Sequence, residues 1–320
     1  MSEIFIASSS IDKPTYGRVA EKLAERGLSV FEYLADKVAS GEDSFSVSIT
    51  RSGNLNFIYN GETKDLSAIS AGWYRHTNLL GLEQPDKAKQ ISLEDEVNSL
   101  QDIWWHEIKN SLWLNSPDNI QRTQSKLAQL AVATSLGFNV PLTIISNNWD
   151  SLNEYLEGED MIVKMARGVL FDKNQTKVLY TTRLTSESLQ NIRTAMPFPG
   201  IFQNYIPKSR EWRITVVRDD IFEASIYTAD DAKDDWRRHQ LTSRVTFKKE
   251  SIGADIKDKC IKFLGHYGLG YGAFDFIESD DGQITFLECN PNGQFIWLED
   301  LLDLQISDAI VGELVKISNQ

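Results

Sequence analysis

Apolar and polar positions along the chain repeat with two periods, and the changes of period mark out elements. "EIFIASS" reads as a first strand, and "PTYGRVAEKLAERGLSV" carries Val19, Leu23 and Leu28 at helical spacing with Gly27 as its stop. Strand then helix is the opening of an α/β unit. "FSVSITRSGNLNFIYNGE" alternates like strands joined by tight turns, and "AISAGWYRH" predicts another strand with an aromatic, basic end. A long helix follows in "SLEDEVNSLQDIWWHEIKNSLWLN", where Val97, Leu100, Ile103, Trp104 and Ile108 form a stripe best read as core packing. "SPDNIQRTQSKLAQLAVATSLGFNVPLTIISN" predicts a capped helix stopped at Gly137 and a strand after Pro141. A domain boundary is expected near Asn115 to Asn119.

The middle section, "DMIVKMARGVLFDKNQTKVLYTTRLT", reads as two strands around a polar turn, and "IFQNYIPKSREWRITVVRDDIFEASIYT" as two more around Asp219-Asp220. A small sheet is expected here. "DKCIKFLGHYGLG" is the last clear helix before a hairpin, and "LEDLLDLQISDAIVGELVKI" closes the chain helically. No internal repeat and no low-complexity tract interrupts this order.

The hairpin is "YGAFDFIESDDGQITFLECNPNGQF". Asp281-Gly282 is a strong two-residue turn signal, and counting outward from it sets Asp275 opposite Glu288. Side chains alternate along a strand, so Ile284, Phe286, Glu288 and Asn290 are expected on one face and Thr285, Leu287 and Cys289 on the other. Facing like charges destabilise a sheet, so the pair needs a cation or a shared proton. Mg²⁺ takes oxygen ligands from one or two carboxylates, and Asn290 adds a neutral oxygen on the same face. A hairpin with merely solvated acids would carry the same pattern. Against that reading stand the apolar neighbours Phe274, Phe276, Phe286 and Leu287.

Composition bounds the partners. The 320 residues suffice for two or three domains, and 41% apolar with 25% charged residues is ordinary for a globular protein. With 46 acidic against 33 basic residues the net charge is −13, which argues against general affinity for nucleic acid or anionic membrane. Cys260 and Cys289 have no metal-type spacing and fit a reducing cytosol as buried thiols. No apolar segment approaches membrane-spanning length, so a cytoplasmic protein is expected. Against the net charge, "WRRHQLTSRVTFKK" from Trp236 to Lys249 has five basic residues, His239 and no acid. It reads either as a solvated basic hairpin or as a cationic wall facing polyphosphate and an acidic peptide, with Arg244 nearest the chemistry.

Two upstream lysines complete a pattern: Lys126 in "QRTQSKLAQL" and Lys164 closing the apolar "MIVK". Either could be a surface lysine, although one that closes a buried strand presents a fixed charge well suited to phosphate. In order, Lys126, Lys164, "FQNYIPKSREWRITVV", Asp275, Glu288 and Asn290 resemble the ATP-grasp superfamily from about Asn115 to the C-terminus. Within it, "GWYRH", "DWR" at Asp235 to Arg237 and "FLECNPNGQFIWLED" resemble the graspetide synthetases, microviridin-type peptide cyclases related to RimK. The resemblance implies mixed α/β and α+β architecture. An N-terminal α/β pre-ATP-grasp domain (1–118) would precede a small central subdomain (119–201) and a C-terminal antiparallel-sheet subdomain with the metal site (202–320).

It also implies roles. ATP would lie between the central and C-terminal sheets, with Lys126 and Lys164 near its phosphates and Gln203, Asn204, Tyr205 and Ile206 along the adenine. Glu211 would stand near the ribose or adenine edge, with Leu287 also against the nucleotide, and Asp275, Glu288 and Asn290 would bind Mg²⁺. Arg213 and Arg244 would serve catalysis, Arg213 by neutralising charge where phosphate meets the substrate carboxylate. An ion pair between Arg213 and Glu211 is the structural alternative. The substrate would be a ribosomal precursor peptide with a leader and an acidic core, and a homodimer is compatible with the resemblance. One departure is the strand-lysine loop "KMARGVLFDKNQ", which has only Gly168 where many ATP-grasp enzymes are glycine-rich. A RimK-like ligase that adds an amino acid, or an inactive nucleotide-binding regulator, would share the same nucleotide site.

Overall fold

The structure is a computed structural model and describes residues 3–53, 55–77, 79, 86–148, 160–164, 169–172, 175–178, 182–184, 199–229 and 244–320. Gly168 and the Trp236 to Ser243 part of the basic segment lie outside the described residues.

The opening unit is α/β, as the periodicity predicts. Strand β1 (Glu3–Ser8) runs parallel to both β2 (Ser29–Leu34) and β6 (Ile69–Tyr74), in the order β2-β1-β6. Helix α1 (Lys13–Glu25) starts with a proline in its first turn and buries Tyr16, Val19, Ala20 and Leu23 at 3–4-residue spacing. Leu28 does not continue this helix. Gly27, at φ 77°, ends it, and the next residues form β2, because "SVFEYL" buries alternate aromatic residues against β1. A short helix α2 (Ala35–Ser40) and the antiparallel set β3 (Phe45–Ile49), β4 (Leu55–Tyr59) and β5 (Glu62–Lys64) follow.

Helix α3 (Lys87–Glu107) buries Val97, while Leu100 is exposed and Ile108 is buried just beyond the helix end. The expected stripe is therefore only partly a core face, and the Trp104 side chain lies outside the described ones. The single expected helix after Ser116 is two: α4 (Pro117–Thr123) and α5 (Lys126–Ser135). Ser116 and Ser125 each cap one, accepting from the amides of Asn119 and Ala128. The second cap breaks the run and leaves Lys126 in the first turn of α5.

Two sheets face each other across the site. The central sheet has the order β11-β8-β12-β7, from β7 (Thr143–Ser146), β8 (Met161–Lys164), β11 (Thr182–Arg183) and β12 (Gly200–Asn204). Strands β9 (Val169–Asp172) and β10 (Gln175–Val178) form a separate hairpin, so the middle section has four strands where two were expected. The C-terminal sheet has the order β15-β14-β13-β16-β17. Its strands are β13 (Arg210–Val217), β14 (Asp220–Thr228), β15 (Val245–Lys248), β16 (Tyr271–Glu278) and β17 (Ile284–Asn290). The β13–β14 turn is Arg218-Asp219, one residue earlier than expected, with Arg218 at φ 53°.

One face of the C-terminal sheet is sealed. Helix α6 (Ala254–Tyr267) presents Cys260, Phe263, Leu264 and Tyr267 to Trp212, Ile214, Val216, Phe274, Phe276, Phe286 and Cys289. Both cysteines are free and buried, as expected. Helices α7 (Ile296–Leu302) and α8 (Ile306–Ser318) return to the parallel sheet, where Leu298, Ile310, Val311 and Leu314 share a core with Ile4, Ile6 and Tyr16. Chain end and chain start are one hydrophobic body. No helix among the described residues is long and apolar enough to cross a membrane.

Candidate active site

The expected facing pair is present: Asp275 is opposite Glu288 in the β16–β17 ladder. The turn that was to produce it is different. Gly282 N donates to Ser279 O and Ser279 N to Gln283 O, so the loop spans three residues, with only Gly282 at positive φ (83°). Such a type I turn closed by a left-handed glycine shifts the register by one residue. A bulge shifts it back. Phe276 pairs with Phe286 but Asp275 with Glu288, leaving Leu287 as the extra residue. The bulge also turns Phe286 to the α6 side with Cys289, correcting the expectation that it shares a face with Glu288.

The two carboxylates do not face each other unaided. Arg213, on the neighbouring strand opposite Asp275, donates from Nη1 to Asp275 Oδ1 at 2.8 Å. Lys126 Nζ lies 2.9 Å from Glu288 Oε2. The expected repulsion is thus met by protein cations, and the alternative pairing of Arg213 with Glu211 is not formed: Glu211 pairs with Lys208 at 2.6 Å. Burial pulls the Arg213 guanidinium down, but Asp275 and other nearby groups outweigh it and raise it above its ordinary value. Lysine at a helix start opposes the helix dipole, and the Glu288 contact offsets that cost.

Lys126, Thr143, Lys164, Gln203, Leu287 and Glu288 line one narrow cleft between the central sheet, β17 and the start of α5. The capped second helix, the end of β8 and the bulged residue are each needed to bring them together. Gln203 is buried and donates from Nε2 to Thr143 Oγ1 at 2.9 Å. Asn204 ends β12 with Oδ1 buried and unpartnered among the described residues. The Tyr205 ring lies under the Arg183 guanidinium at 4.4 Å, and Ile206 follows in the connection to β13. Arg244 stands exposed just before edge strand β15, two strands from β13.

The donor set suits Mg²⁺: two carboxylates on one sheet face, with Asn290 opposite Ala273 on the same face. Asn290 Oδ1 accepts one bond, from Asn292 N at 2.9 Å, which leaves its second lone pair to a cation. Among the described residues no cluster of three or more His, Cys, Asp or Glu competes as a metal site. Several residues around the site had no role in the sequence reading: Lys208 beside Glu211, and Asp12, Thr15, Arg75 and Gln294 at the junction with the parallel sheet. "GWYRH" and "NGQF" contain two of them, but only distant partners give them a role.

No protein-family model and no curated protein matches the chain. Solved structures do. A RiPP-associated ATP-grasp ligase from Chryseobacterium gregarium, solved with ADP and a leader and core peptide, superposes with a TM-score of 0.83 at 26% identity, covering 99% of this chain and 97% of that one. Macrocyclase MdnC from Microcystis aeruginosa, bound to precursor peptide MdnA, gives 0.81 at 28% identity, covering 98% and 99%. Macrocyclase MdnB from the same organism gives 0.77 at 25% identity, covering 98% and 99%. Likeness over 98–99% of the chain runs from the parallel sheet to the returning C-terminal helices, and in it the chain is similar to the ATP-grasp ligases represented by the graspetide synthetases.

Proposed function

We propose that the protein is an ATP-dependent, ADP-forming ligase that activates Asp or Glu side chains of a ribosomal precursor peptide and closes them into ester or amide cross-links. The observation that carries this reading is the single cleft that gathers Lys126, Lys164, Gln203, Leu287 and Glu288, with the Arg213–Asp275 pair on the same sheet face. The ligases it resembles were solved with ADP and with leader, core or precursor peptides, which supports the same substrate class here.

Gln203 to Ile206 would line the adenine, Glu211 the ribose or adenine edge, and Leu287 the base. Lys126 and Lys164 would neutralise phosphate oxygens. Asp275, Glu288 and Asn290 would hold Mg²⁺, which when bound supplies charge neutralisation across the phosphates. Arg213 would hold the peptide carboxylate in line with the γ-phosphate, and Arg244 would come to the substrate from the edge strand. Carboxylate oxygen attacks phosphorus, ADP leaves, and an acylphosphate results. A Ser or Thr hydroxyl, or a Lys amine, then attacks the acyl carbon and loses its proton as inorganic phosphate departs. The chain's contribution is mainly positioning and electrostatics.

Mass spectrometry tests this directly. Incubated with ATP, Mg²⁺ and an acidic precursor peptide, the enzyme should release ADP and the peptide should lose one water per ring. ADP release that adds a free amino acid instead would replace this reading by a RimK-like one, and no ADP release with any peptide would leave a nucleotide-binding protein only.

A further inference from the structure

The loop that follows Asn290 is held carbonyl by carbonyl. Pro291 O accepts from Asn115 Nδ2 at 2.7 Å, Asn292 O from Arg75 Nη1 at 3.1 Å, Gly293 O from Tyr271 Oη at 2.6 Å, and Gln294 O from Arg213 Nη2 at 3.4 Å. Four distant elements thus fix four successive peptides. The loop is also pressed against the arginine. A Cβ at Gly293 would stand 2.4 Å from Ala273 Cβ and 3.2 Å from Arg213 Nη2. Gly293 permits this approach, and the backbone forms one wall of the slot that holds the guanidinium.

The Gln294 side chain ties that wall to the start of the chain. Its Nε2 donates to Asp12 Oδ1 at 2.7 Å, and its Oε1 accepts from Thr15 Oγ1 at 2.8 Å. Asp12 accepts in turn from Arg75 Nε at 3.1 Å. Only a carboxamide serves both ends here. A carboxylate would face Asp12, and an apolar side chain would remove one bond from each partner.

Resting on the ligase reading above, we propose that Gln294 is a positioning residue: clamped by Asp12 and Thr15 of the N-terminal unit, it sets the orientation of the Arg213 guanidinium toward the reacting phosphate and carboxylate. A guanidinium is planar, and its worth to a planar anion depends on orientation. Asp275 takes Nη1 and the Gln294 carbonyl faces Nη2, so two contacts define the plane. The second is long, so the wall behind it, and not the bond's own strength, limits rotation about the side chain. The N-terminal unit would therefore contribute to catalysis.

Two measurements test the tie. In the full chain labelled with ¹⁵N-arginine, the Arg213 Nη signals, identified by their absence in Arg213→Lys, should be separate and exchange slowly in wild type and merge in Gln294→Leu. Unchanged Arg213 signals in Gln294→Leu would overturn the proposal. With ATP, Mg²⁺ and the same acidic precursor peptide, Gln294→Leu should lower kcat about tenfold with KM for ATP within about twofold. In an Arg213→Lys background the same substitution should cost less than about twofold, whereas equal losses in both backgrounds would make Gln294 structural only. Thr15→Val, which removes only the hydroxyl that holds Oε1, should give a smaller loss with the same pattern and serves if Gln294→Leu does not fold. A wild type with no peptide-dependent ADP release overturns the ligase reading, while the arginine signals still decide the tie.

Discussion

Two arginine–aspartate pairs flank the 291–294 loop, and they are built for different ends. The Arg75–Asp12 side chains are 0% and 3% exposed, whereas those of Arg213–Asp275 are 11% and 27% exposed. Asp12 also accepts from Ser8 and Gln294. Burial pushes its carboxyl up, but Arg75 and the Gln294 hydrogen bond together hold it below the usual carboxylate range. The first pair is enclosed on all sides and can only hold elements together. The second is partly exposed on the sheet face of Glu288, and Lys126–Glu288, at 33% and 30%, lies in a cleft where each partner can be exchanged for a ligand of matching charge. On the proposed assignment, cations that would meet phosphate or substrate rest on carboxylates that would hold metal. Nucleotide and metal should each release the other's residues, so they should bind cooperatively.

The contrast can be broken from either side. Glu288→Gln should cut turnover by on the order of 10³-fold, about 4 kcal/mol, with the melting temperature nearly unchanged. Wild-type rates in that variant at ordinary Mg²⁺ would remove the metal assignment. Arg75→Met should instead cost stability, about 3–5 kcal/mol in urea denaturation, because it strands a buried carboxylate. Arg213→Met should lose less than half of that while abolishing cross-linking. Similar stability losses in the two would erase the distinction between the pairs.

His76 probes the enclosed side through pH. Burial, with Arg75 adding to it, lowers its pKa to about 4, against about 6.5 in the unfolded chain. The unfolded state therefore binds the extra proton first as pH falls. Its contribution is complete above pH 6.5 and lost between 6.5 and 4, by at most about 3 kcal/mol because the ring is partly exposed. His76→Gln should flatten stability over that interval, and an unchanged slope would show that another group titrates there.

On the open side, Glu288→Gln should tighten metal-free ADP binding, by about fivefold if releasing Lys126 is worth about 1 kcal/mol. Calorimetry in the presence of a chelator would detect it, and weaker binding would mean that Glu288 orients Lys126 and does not sequester it. The smallest effect belongs to the turn. Gly282→Ala, at φ 83° with open space around it, should cost about 1 kcal/mol and leave activity intact, and a larger loss of activity would couple the turn to the bulge at Leu287.

Much of the site was legible because its signals are local. Lys164 closes a short apolar strand, Asp275 and Glu288 sit in alternating runs around a turn signal, and the α/β opening follows from periodicity over about 25 residues. The misreadings are also local in origin. Leu28 fits the helical spacing of α1 but leads into β2, since Gly27 intervenes and β1 offers a parallel partner from Ser29 on. The short strands of the middle section merged into longer ones because apolar runs do not show which sheet will take them. Asp281-Gly282 predicts a two-residue turn, because the hydrogen bonds of Ser279, which choose the three-residue form, are not visible in the dipeptide.

By itself the sequence determined which side chains could do chemistry here and that Asp275 and Glu288 lie near each other on paired strands, because turn propensity and alternation act over a few residues. Tertiary structure alone decided that the pairing survives. A one-residue shift at the turn is cancelled by a bulge at Leu287, and that bulge buries Phe286 against α6 while Glu288 stays in the cleft. It decided also that Glu288 rests on Lys126, Asp275 on Arg213, and Gln294 on Asp12. These partners are separated by 62 to 282 positions. Nothing local distinguishes them from other charged or polar residues of the chain. Burial of shared apolar faces brings them within hydrogen-bonding distance, and the cost of leaving a desolvated polar group unpaired then selects the partner.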